Sequence, residues 1–331
     1  MNPILRLPWF SSSPAISVVI PTFNRPDELR LCLDGFARQT VPKNKFEIIV
    51  VDDGSTVDIE PSVAPFRPAL NLRFIRAAHA GPGAARNIAL KRARAPLLLL
   101  YDDDLRPSPD LIEYCLDFHR VHPAEEDARL LNFGPDPATA DSPFAMWAFN
   151  TLYPFPGQAA IYGGGHFWSG TLTAKKSLFR HGEFDPSYQM LEDAELGLRL
   201  SHRVDLRVHY EPRLTGTLTR NLTFRQICRR QYTHGYFVHL LARKYRGTIG
   251  VSRPYDCPEK YFVNDRQVLA AILASARAIE SREPTNPSKL LRALWSAAET
   301  HARAEGWMAA RDGRPAEPPG TLWGFCWNRM L

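Results

Sequence analysis

Leu-Leu-Leu-Leu-Tyr-Asp-Asp-Asp, residues 97–104, is an apolar run that ends in three adjacent carboxylates. Two other apolar runs also end in polar residues: residues 46–51 precede Asp52-Asp53-Gly54-Ser55, and residues 15–20 precede Pro21-Thr22. Such near-continuous runs are typical of strands covered on both faces. Because the carboxyl ends of parallel strands meet in one crevice, the sequence predicts a nucleotide site at this edge of a sheet.

Helical patterns alternate with these strands. They cover residues 26–39, 81–94 and 110–119, and residues 70–75 form one more candidate strand. The alternation predicts an α/β protein with a Rossmann-like, mostly parallel sheet flanked by helices.

The alternation of strand and helix patterns stops after residue 123. Frequent prolines between residues 123 and 160 predict a long aromatic loop or insertion, and order returns from residue 163 to a helix that begins at Asp193. A basic, aromatic helix is predicted at residues 224–246, and two more helices at residues 265–281 and 287–311. We therefore expect the chain to divide into a first part at 14–125, a second part at 126–246 and a helical extension at 247–331.

The amino-acid composition is typical of a globular protein. Hydrophobic residues make up 44% and charged residues 23%, as in globular proteins, and no apolar run approaches the roughly 20 residues that span a bilayer. The net charge of +6 favours anionic partners without choosing among them. The start of the chain lacks the continuous apolar region of a signal peptide, which predicts a cytoplasmic location.

Cysteine and histidine give no metal signature. Five cysteines lie singly along the chain, which argues against disulfides and a zinc knuckle. The ten histidines show no metal-binding spacing, and His119, His122, His234 and His239 are expected to be solvated helix residues.

The three aspartates at 102–104 predict a cation site. Packed like charges raise their own pKa values, whereas a divalent metal bound to diphosphate oxygens stabilises the ionised forms. In extended backbone, Asp102 and Asp104 would point the same way and Asp103 the other way. Asp52-Asp53-Gly54-Ser55, by contrast, is equally typical of a turn with a helix cap.

Two helix starts carry further candidates. Gly81-Pro82-Gly83 opens a helix whose free N–H groups suit an anion, with Arg86 one turn into it. Glu192 and Asp193 open the later helix, where Asp193 is either a helix cap or a functional carboxylate.

Taken in order, these motifs resemble those of the family-2 glycosyltransferases of the GT-A fold. The resemblance spans about residues 16–235 and rests on five stretches. They are Val-Val-Ile-Pro-Thr-Phe-Asn-Arg (18–25), Ile-Val-Val-Asp-Asp-Gly-Ser (49–55), Gly-Ala-Ala-Arg-Asn (83–87), Asp-Asp-Asp (102–104), and Phe184-Asp185 with Glu-Asp-Ala-Glu-Leu (192–196).

The resemblance implies roles for individual residues. Asp102 would face the ribose, Asp104 would ligate Mn²⁺ or Mg²⁺, and Asp193 would be the catalytic base. Trp168, Ser169, Gly170 and Glu192 would form the sugar and substrate site. The residues implied to bind the rest of the nucleotide are Pro21, Thr22, Asn24, Asp53 and Arg86.

The resemblance also implies what the parts of the chain do and which activity results. Residues 14–125 would form the nucleotide-sugar-binding half, and residues 126–246 the acceptor-binding and catalytic half. A sugar would pass from a nucleotide diphosphate sugar, with uridine as the commonest base, to a hydroxyl acceptor with inversion, in a hexosyltransferase-like reaction of glycan biosynthesis. The sequence departs from the family at Leu218-Thr219-Arg220-Asn221, where members often carry a histidine near the metal. Arg220 pairing with phosphate, or water, would fill that place.

Other readings stay open. A non-catalytic nucleotide-sugar-binding or assembly protein would lose Asp193 or the third aspartate, and this chain keeps both. A sugar nucleotidyltransferase would carry a glycine- and arginine-rich loop in place of residues 21–25.

The implied partners extend beyond the donor. The acceptor would be a glycan, a lipid-linked molecule or a small molecule, and nucleic acid is not expected. The basic helix at 224–246 has either a core-facing stripe or a membrane-facing one, and packing is favoured. Peripheral contact with the inner face of the membrane and homo-oligomerisation are both left open.

Overall fold

The computed structural model describes residues 13–139, 141–245 and 289–316. These residues form two compact units. The first comprises the chain up to Asp136 together with Phe155–Arg220, and the second comprises Pro137–Pro154 together with residues from Asn221 onward. The helix expected at 265–281 lies outside the described residues.

Nine strands form one sheet in the first unit. In chain order they are β1 (Ile16–Thr22), β2 (Phe46–Asp52), β3 (Leu72–Arg76), β4 (Leu97–Tyr101), β5 (Leu105–Pro107), β6 (Asp127–Gly134), β7 (Ala160–Tyr162), β8 (Thr171–Lys175) and β9 (Arg207–Leu218).

Helices flank this sheet, and three more form the described part of the second unit. Those of the first unit are α1 (Pro26–Ala37), α2 (Glu60–Val63), α3 (Pro82–Arg92), α4 (Leu111–Val121) and α6 (Glu192–Ser201). Those of the second unit are α5 (Pro143–Leu152), α7 (Phe224–Lys244) and α8 (Lys289–Arg311).

The strands run in the order β3-β2-β1-β4-β8-β6-β9-β5, and β7 pairs with β9. The β3-β2-β1-β4 segment is parallel, as is the β6–β9 pair. Strand β8 is antiparallel to both β4 and β6, so β4 and β6 run in the same direction. The carboxyl ends of β1, β2, β4 and β6 therefore share one edge, and the predicted fold class is confirmed.

The central strands match their sequence. All residues of β1 and β2 are buried, as their near-continuous apolar runs predict for strands covered on both faces. In β4, Leu98 to Tyr101 are likewise buried.

The prediction of a long loop between residues 123 and 160 is wrong. This stretch contains β6, α5 and the start of β7. All of β6 is buried although it carries Asp127, Arg129 and Asn132, so its sequence lacks the apolar run that marks a central strand. Helix α5 is apolar around most of its circumference, and its sequence therefore shows no helical period.

The second unit is helical in its described part. Helix α7 begins with a capping box formed by Thr223 and Gln226, and it buries Ile227, Tyr232, Phe237 and Leu241 among others. The favoured core-packing interpretation of this helix is thus confirmed. The helices that the structure describes are all too short or too polar to span a bilayer.

Backbones approach closely where α7 crosses α8. A Cβ atom on Gly235 would lie 1.9 Å from the carbonyl oxygen of Arg303, and one on Gly306 would lie 1.8 Å from that of Tyr232. Phe144, Trp147, Phe224 and Trp295 pack around one another beside this crossing. Glycine at both positions is therefore a packing requirement of the second unit.

The expectation that His119 is solvated is wrong. His119 is buried in α4, where its Nε2 atom lies 2.9 Å from the hydroxyl of Thr173. Burial lowers the pKa of His119 to about 3, and the charge of Lys175 acts in the same direction. Cys32, Cys115 and Cys228 are buried free thiols, as expected.

Helix α6 is fixed by direct backbone contact with the turn at Gly164–His166. A Cβ atom on Gly197 would lie 2.1 Å from the carbonyl oxygen of Gly164. The hydroxyl of Ser201 also accepts a hydrogen bond from the N–H of Gly164, at 3.0 Å. These contacts set the position of the helix start, which carries Glu192 and Asp193.

We expect Gly197→Ala to destabilise the protein by about 1–3 kcal/mol, because the added methyl group overlaps the Gly164 carbonyl. Urea unfolding measures the change. Gly163→Ala is the matched control, since a Cβ there meets nothing within 4 Å and its effect should be within about 0.5 kcal/mol. Equal stability of the two variants would contradict the close packing.

Candidate active site

The three aspartates after β4 lie in a turn before β5. Arg25 contacts two of them, with its Nη1 atom 2.7 Å from Asp103 Oδ1 and 3.2 Å from Asp104 Oδ2. Arg220 lies on the same oxygen of Asp104, at 3.8 Å. Asp102 is more exposed, with 37% of its side chain accessible.

The expected alternation of these side chains is wrong. It assumes extended backbone, whereas residues 103 and 104 form a turn. Asp103 and Asp104 consequently share Arg25, and Asp102 pairs with a different arginine. Burial raises the pKa of Asp103 to about 7, although the charge of Arg25 opposes the shift.

Arg86 joins the turn after β4 to the start of α6. Its guanidinium is 4% exposed and donates from Nη2 to Asp102 Oδ1 and from Nη1 to Glu192 Oε1, both at 2.6 Å. The ring of Phe184 lies 5.7 Å from the guanidinium carbon. Two carboxylates that are 90 residues apart in the chain are thus held by one buried cation.

Asp193 is held by backbone donors. Its Oδ2 accepts a hydrogen bond from the N–H of Ser169 at 2.9 Å, and its Oδ1 accepts one from the N–H of Ala194 at 2.8 Å. The preceding Leu191 has a left-handed backbone with φ of 61°. Since such a conformation is costly for leucine, the surrounding packing must hold it in place.

The segment around Ser169 closes a ring of contacts. A Cβ atom on Gly170 would lie 2.7 Å from Asp102 Oδ2, and the Gly170 carbonyl accepts the N–H of Asp102 at 2.9 Å. The ring therefore runs from Asp102 through Arg86 and the Glu192-Asp193 pair to Ser169, and through Gly170 back to Asp102. We call these six residues the Arg86 ring.

Burial perturbs the carboxyls of this ring. It raises the pKa of Glu192 to about 7, with a further contribution from the charge of Asp193. The pKa of Asp193 is also raised by burial, although Arg86 and the N–H groups of Ser169 and Ala194 oppose the shift. A carboxylate with a raised pKa is a stronger base than a solvated one.

The ends of β1 and β2 form a second group. The N–H of Asn24 donates to the hydroxyl of Ser55 at 2.8 Å, and the N–H of Thr56 donates to Asn24 Oδ1 at 2.8 Å. Asn24 has a φ of 55°, a conformation that asparagine tolerates better than most residues. Pro21 and Thr22 are buried beside Val51 and Asp52 in the β1–β2 pairing.

Asp53 accepts hydrogen bonds from the loop that precedes α3. Its two carboxylate oxygens accept the N–H groups of Ala80 and Gly81, each at 2.9 Å. His79 lies 2.8 Å away through Nδ1, and its ring stacks on Phe23 with 4.4 Å between centroids. This arrangement fixes the loop that leads to Arg86.

Trp168 lies beside the ring in sequence but makes separate contacts. Its Nε1–H donates to the carbonyl of Gly165 at 3.1 Å, and its ring packs against Phe155 and His166. Within the described part of the chain, the hydrogen bond and ring contacts of Trp168 do not reach the carboxylates of the Arg86 ring.

Sequence reasoning gave no role to Arg25, His79 or Leu191. Arg25 has a visible signal, because it directly follows a strand end that faces an aspartate cluster. His79 precedes the Gly-Pro-Gly helix start and could have been included with it. The left-handed backbone of Leu191 has no sequence signal, since leucine is not a residue that favours it.

Glu192→Gln should change how stability depends on pH. A carboxyl whose folded pKa of about 7 exceeds its ordinary pKa of 4.5 stabilises the fold fully below about pH 4.5, and that contribution is lost as pH rises to about 7. Glutamine keeps an acceptor oxygen for Arg86 without the ionisation. The variant's stability relative to the wild type should therefore rise from pH 5 to pH 8.

Urea unfolding across that range measures this difference. Glu183→Gln is the control, since Glu183 is 52% exposed, and its difference should stay nearly constant. If the stability of Glu192→Gln relative to the wild type stays constant or falls as pH rises, burial does not govern the pKa of this carboxyl.

The chain is similar in sequence to a known protein family and to several known proteins. Residues 17–166 match the model of the family "Glycosyl transferase family 2". The poly(ribitol-phosphate) beta-N-acetylglucosaminyltransferase TarS of Staphylococcus aureus is 39% identical over 90 residues, which is 27% of this chain and 16% of TarS. Glycosyltransferase AglE of Haloferax volcanii is 33% identical over 105 residues, 31% of this chain and 34% of AglE.

Solved structures share the fold. The structure of S. aureus TarS 1-349 superposes with a TM-score of 0.55 and 18% identity, covering 90% of this chain and 92% of that one. The mannosyltransferase PcManGT of Pyrobaculum calidifontis gives 0.56 and 18%, covering 86% of each chain.

The matches with the two curated relatives span only about a sixth to a third of those proteins' lengths. The family model, however, covers β1 to β4 and the aspartates of the turn. The shared fold extends over most of the chain. Residues 17–166 therefore belong to the family-2 glycosyltransferases, within a chain of the GT-A fold.

Proposed function

We propose that this protein is an inverting glycosyltransferase that moves a sugar from a nucleoside diphosphate sugar, UDP-linked, to a hydroxyl acceptor, with Asp193 as base. The Arg86 ring carries the proposal. It brings the residues expected to bind the donor and those expected to bind the acceptor side into one connected set, through contacts of 2.6–2.9 Å.

The donor side is assigned to the strand ends. Asn24 and Asp53, with Pro21 and Thr22, would receive the nucleoside, and Asp102 would face the ribose with its 37% exposed side chain. Arg86 holds Asp102 in place and adds positive charge beside the diphosphate. Because Arg86 is buried and already paired, its role is to fix the carboxylates rather than to move during the reaction.

The turn after β4 fits a divalent cation that arrives with the diphosphate. Asp104 would hold it, because carboxylate oxygens are the ligands that Mg²⁺ and Mn²⁺ prefer. Arg25 and Arg220 currently balance the charge of Asp104, so a cation site of net negative charge exists there only when those arginines turn to phosphate. The bound metal would stabilise the negative charge of the departing diphosphate.

Asp193 has the properties of a general base. Its oxygens are oriented by the N–H groups of Ser169 and Ala194, and the hydroxyl of Ser169 also donates to Oδ2, at 3.5 Å. Oδ1 keeps a lone pair for an acceptor hydroxyl. Burial raises its pKa, which strengthens it as a proton acceptor. In a single displacement at the anomeric carbon, Asp193 takes the hydroxyl proton as the new bond forms and the diphosphate leaves on the opposite face.

Similar proteins support this choice of substrates. TarS has been solved with UDP-GlcNAc, and PcManGT with GDP-Man and Mn2+. The acceptor named for TarS is a poly(ribitol-phosphate). A glycan or other polyhydroxyl acceptor is accordingly proposed here. Cytoplasmic location, peripheral contact with the membrane and self-association remain predictions.

A non-catalytic protein of the same fold is the alternative from another class. It would need the nucleotide-binding strand ends but not an oriented, strengthened base. The two hydrogen bonds to Asp193 and the left-handed Leu191 before it favour catalysis, since strain at a functional residue is retained when the geometry is used.

Asp104→Ala should abolish the manganese-dependent part of UDP binding, because the substitution removes the main proposed metal ligand. Thermal-shift assays with UDP, with and without MnCl₂, measure it. Asp117→Ala, at an exposed position on α4, is the control and should behave as wild type. Equal manganese-dependent shifts in Asp104→Ala and wild type would contradict the assignment.

Asp193→Asn should lower turnover by about 10²–10⁴-fold while donor affinity stays near wild type, because asparagine keeps an acceptor oxygen but cannot take a proton. Sugar transfer from UDP-sugars to a polyol acceptor measures turnover, and UDP thermal shifts measure affinity. Asp205→Asn is the matched control, since Asp205 is 86% exposed. If the activity of Asp193→Asn stays within a few-fold of wild type, another residue is the base.

A further inference from the structure

A group of two histidines and one aspartate lies at the sheet edge opposite the candidate active site. It consists of His122 at the end of α4, Asp127 at the start of β6 and His209 near the start of β9. One potential ligand atom from each lies within 4.8 Å of the others. Because β4 and β6 run in the same direction, the amino end of β6 and the carboxyl end of β4 are at opposite edges.

The atoms are spaced as metal ligands can be. His209 Nε2 lies 3.0 Å from Asp127 Oδ1. In a tetrahedral zinc site with bonds of about 2.0–2.1 Å, ligand atoms are roughly 3.4 Å apart. That separation lies between the 3.0 Å of this pair and the 4.8 Å within which all three ligand atoms lie. Two imidazoles and a carboxylate form a donor set typical of zinc-class cations rather than of Mg²⁺ or Ca²⁺.

Packing holds both imidazoles in place. The ring of Phe118 lies 4.6 Å from that of His122 and 5.2 Å from that of His209, and the two histidine rings are 4.4 Å apart. Lys175 donates to the carbonyl of His122 at 2.6 Å, which fixes the chain at this point. Such support limits the rearrangement that binding a cation would require.

The carboxylate has an outer donor as well. Arg207 Nε donates to Asp127 Oδ1 at 2.8 Å. His209 Nε2 lies 3.0 Å from the same oxygen, so Asp127 Oδ1 is oriented by two side chains of β9. Metal-bound carboxylates are commonly oriented by a donor of this kind.

His122 completes the group by its position. Its ring lies 4.4 Å from that of His209, and one of its ring nitrogens lies within 4.8 Å of the ligand atoms of His209 and Asp127. The cation would replace the proton between His209 and Asp127 while Arg207 keeps its hydrogen bond. A plain ion-pair network would also join Asp127, Arg207 and His209, and it leaves His122 with packing contacts alone.

We propose that His122, Asp127 and His209 bind a zinc-class divalent cation, separate from any metal at Asp104. The bound ion would join the end of α4 to the starts of β6 and β9, three segments that are distant in sequence. The site rests on its own residues and does not depend on the glycosyltransferase assignment.

Metal titration of the full chain tests the proposal. Protein dialysed against EDTA is titrated with Co²⁺, whose visible absorption reports tetrahedral nitrogen and oxygen ligands, and Zn²⁺ is then added as competitor. We expect saturable Co²⁺ absorption, its loss on zinc addition, and a rise in melting temperature with Zn²⁺. Absence of both signals overturns the site.

Variants locate the binding. His122→Ala and His122→Gln should each weaken Zn²⁺ binding roughly tenfold or more while circular dichroism stays native. His202→Ala, on the exposed end of α6, is the matched control and should bind as wild type. Binding that survives both His122 variants overturns the proposal.

A last pair of measurements separates the two metal sites. Zinc binding should persist in Asp104→Ala, and the manganese-dependent UDP shift should persist in His122→Ala. Loss of zinc binding in Asp104→Ala would assign the metal to the turn after β4 and overturn this inference, while leaving the proposed function in place.

Discussion

The buried guanidinium of Arg86 is the interaction on which the candidate site depends. It pairs with Asp102 after β4 and with Glu192 at the start of α6, both at 2.6 Å. A buried charge is costly unless it is paired, and removing one partner of such a pair destabilises a protein by about 3–5 kcal/mol. The two segments that carry the proposed donor and acceptor residues are therefore coupled through one side chain.

Close backbone contacts give this arrangement its precision. Gly197 and Gly164 allow α6 to touch the turn beneath it, and Gly170 allows the chain to pass directly against Asp102. A side chain at Gly164 or Gly197 would overlap backbone and push the two elements apart, and one at Gly170 would displace the carboxylate of Asp102. Positioning within a fraction of an ångström is what a catalytic base requires.

Electrostatics differs between the two edges of the sheet. At the carboxyl edge, burial raises the pKa values of Asp103 and Glu192, and two arginines lie on Asp104. Under the proposed function, this edge would exchange internal ion pairs for a diphosphate and its cation. At the amino edge, two histidines and Asp127 are packed by Phe118 and oriented by Arg207, which suits a fixed ion rather than a reacting one.

Local sequence determined the central strands, the first helices and the motifs at the strand ends, because a strand buried on both faces must be apolar and parallel strand ends must converge. Tertiary structure alone decided that β6, with Arg129 and Asn132, is a buried strand. It also decided the turn after β4, in which Arg25 pairs with Asp103 and Asp104 while Arg86 pairs with Asp102. It also brought His122, Asp127 and His209 together from segments without a shared motif. The physical reason is that burial and pairing depend on neighbours supplied by distant parts of the chain, and no local pattern encodes them.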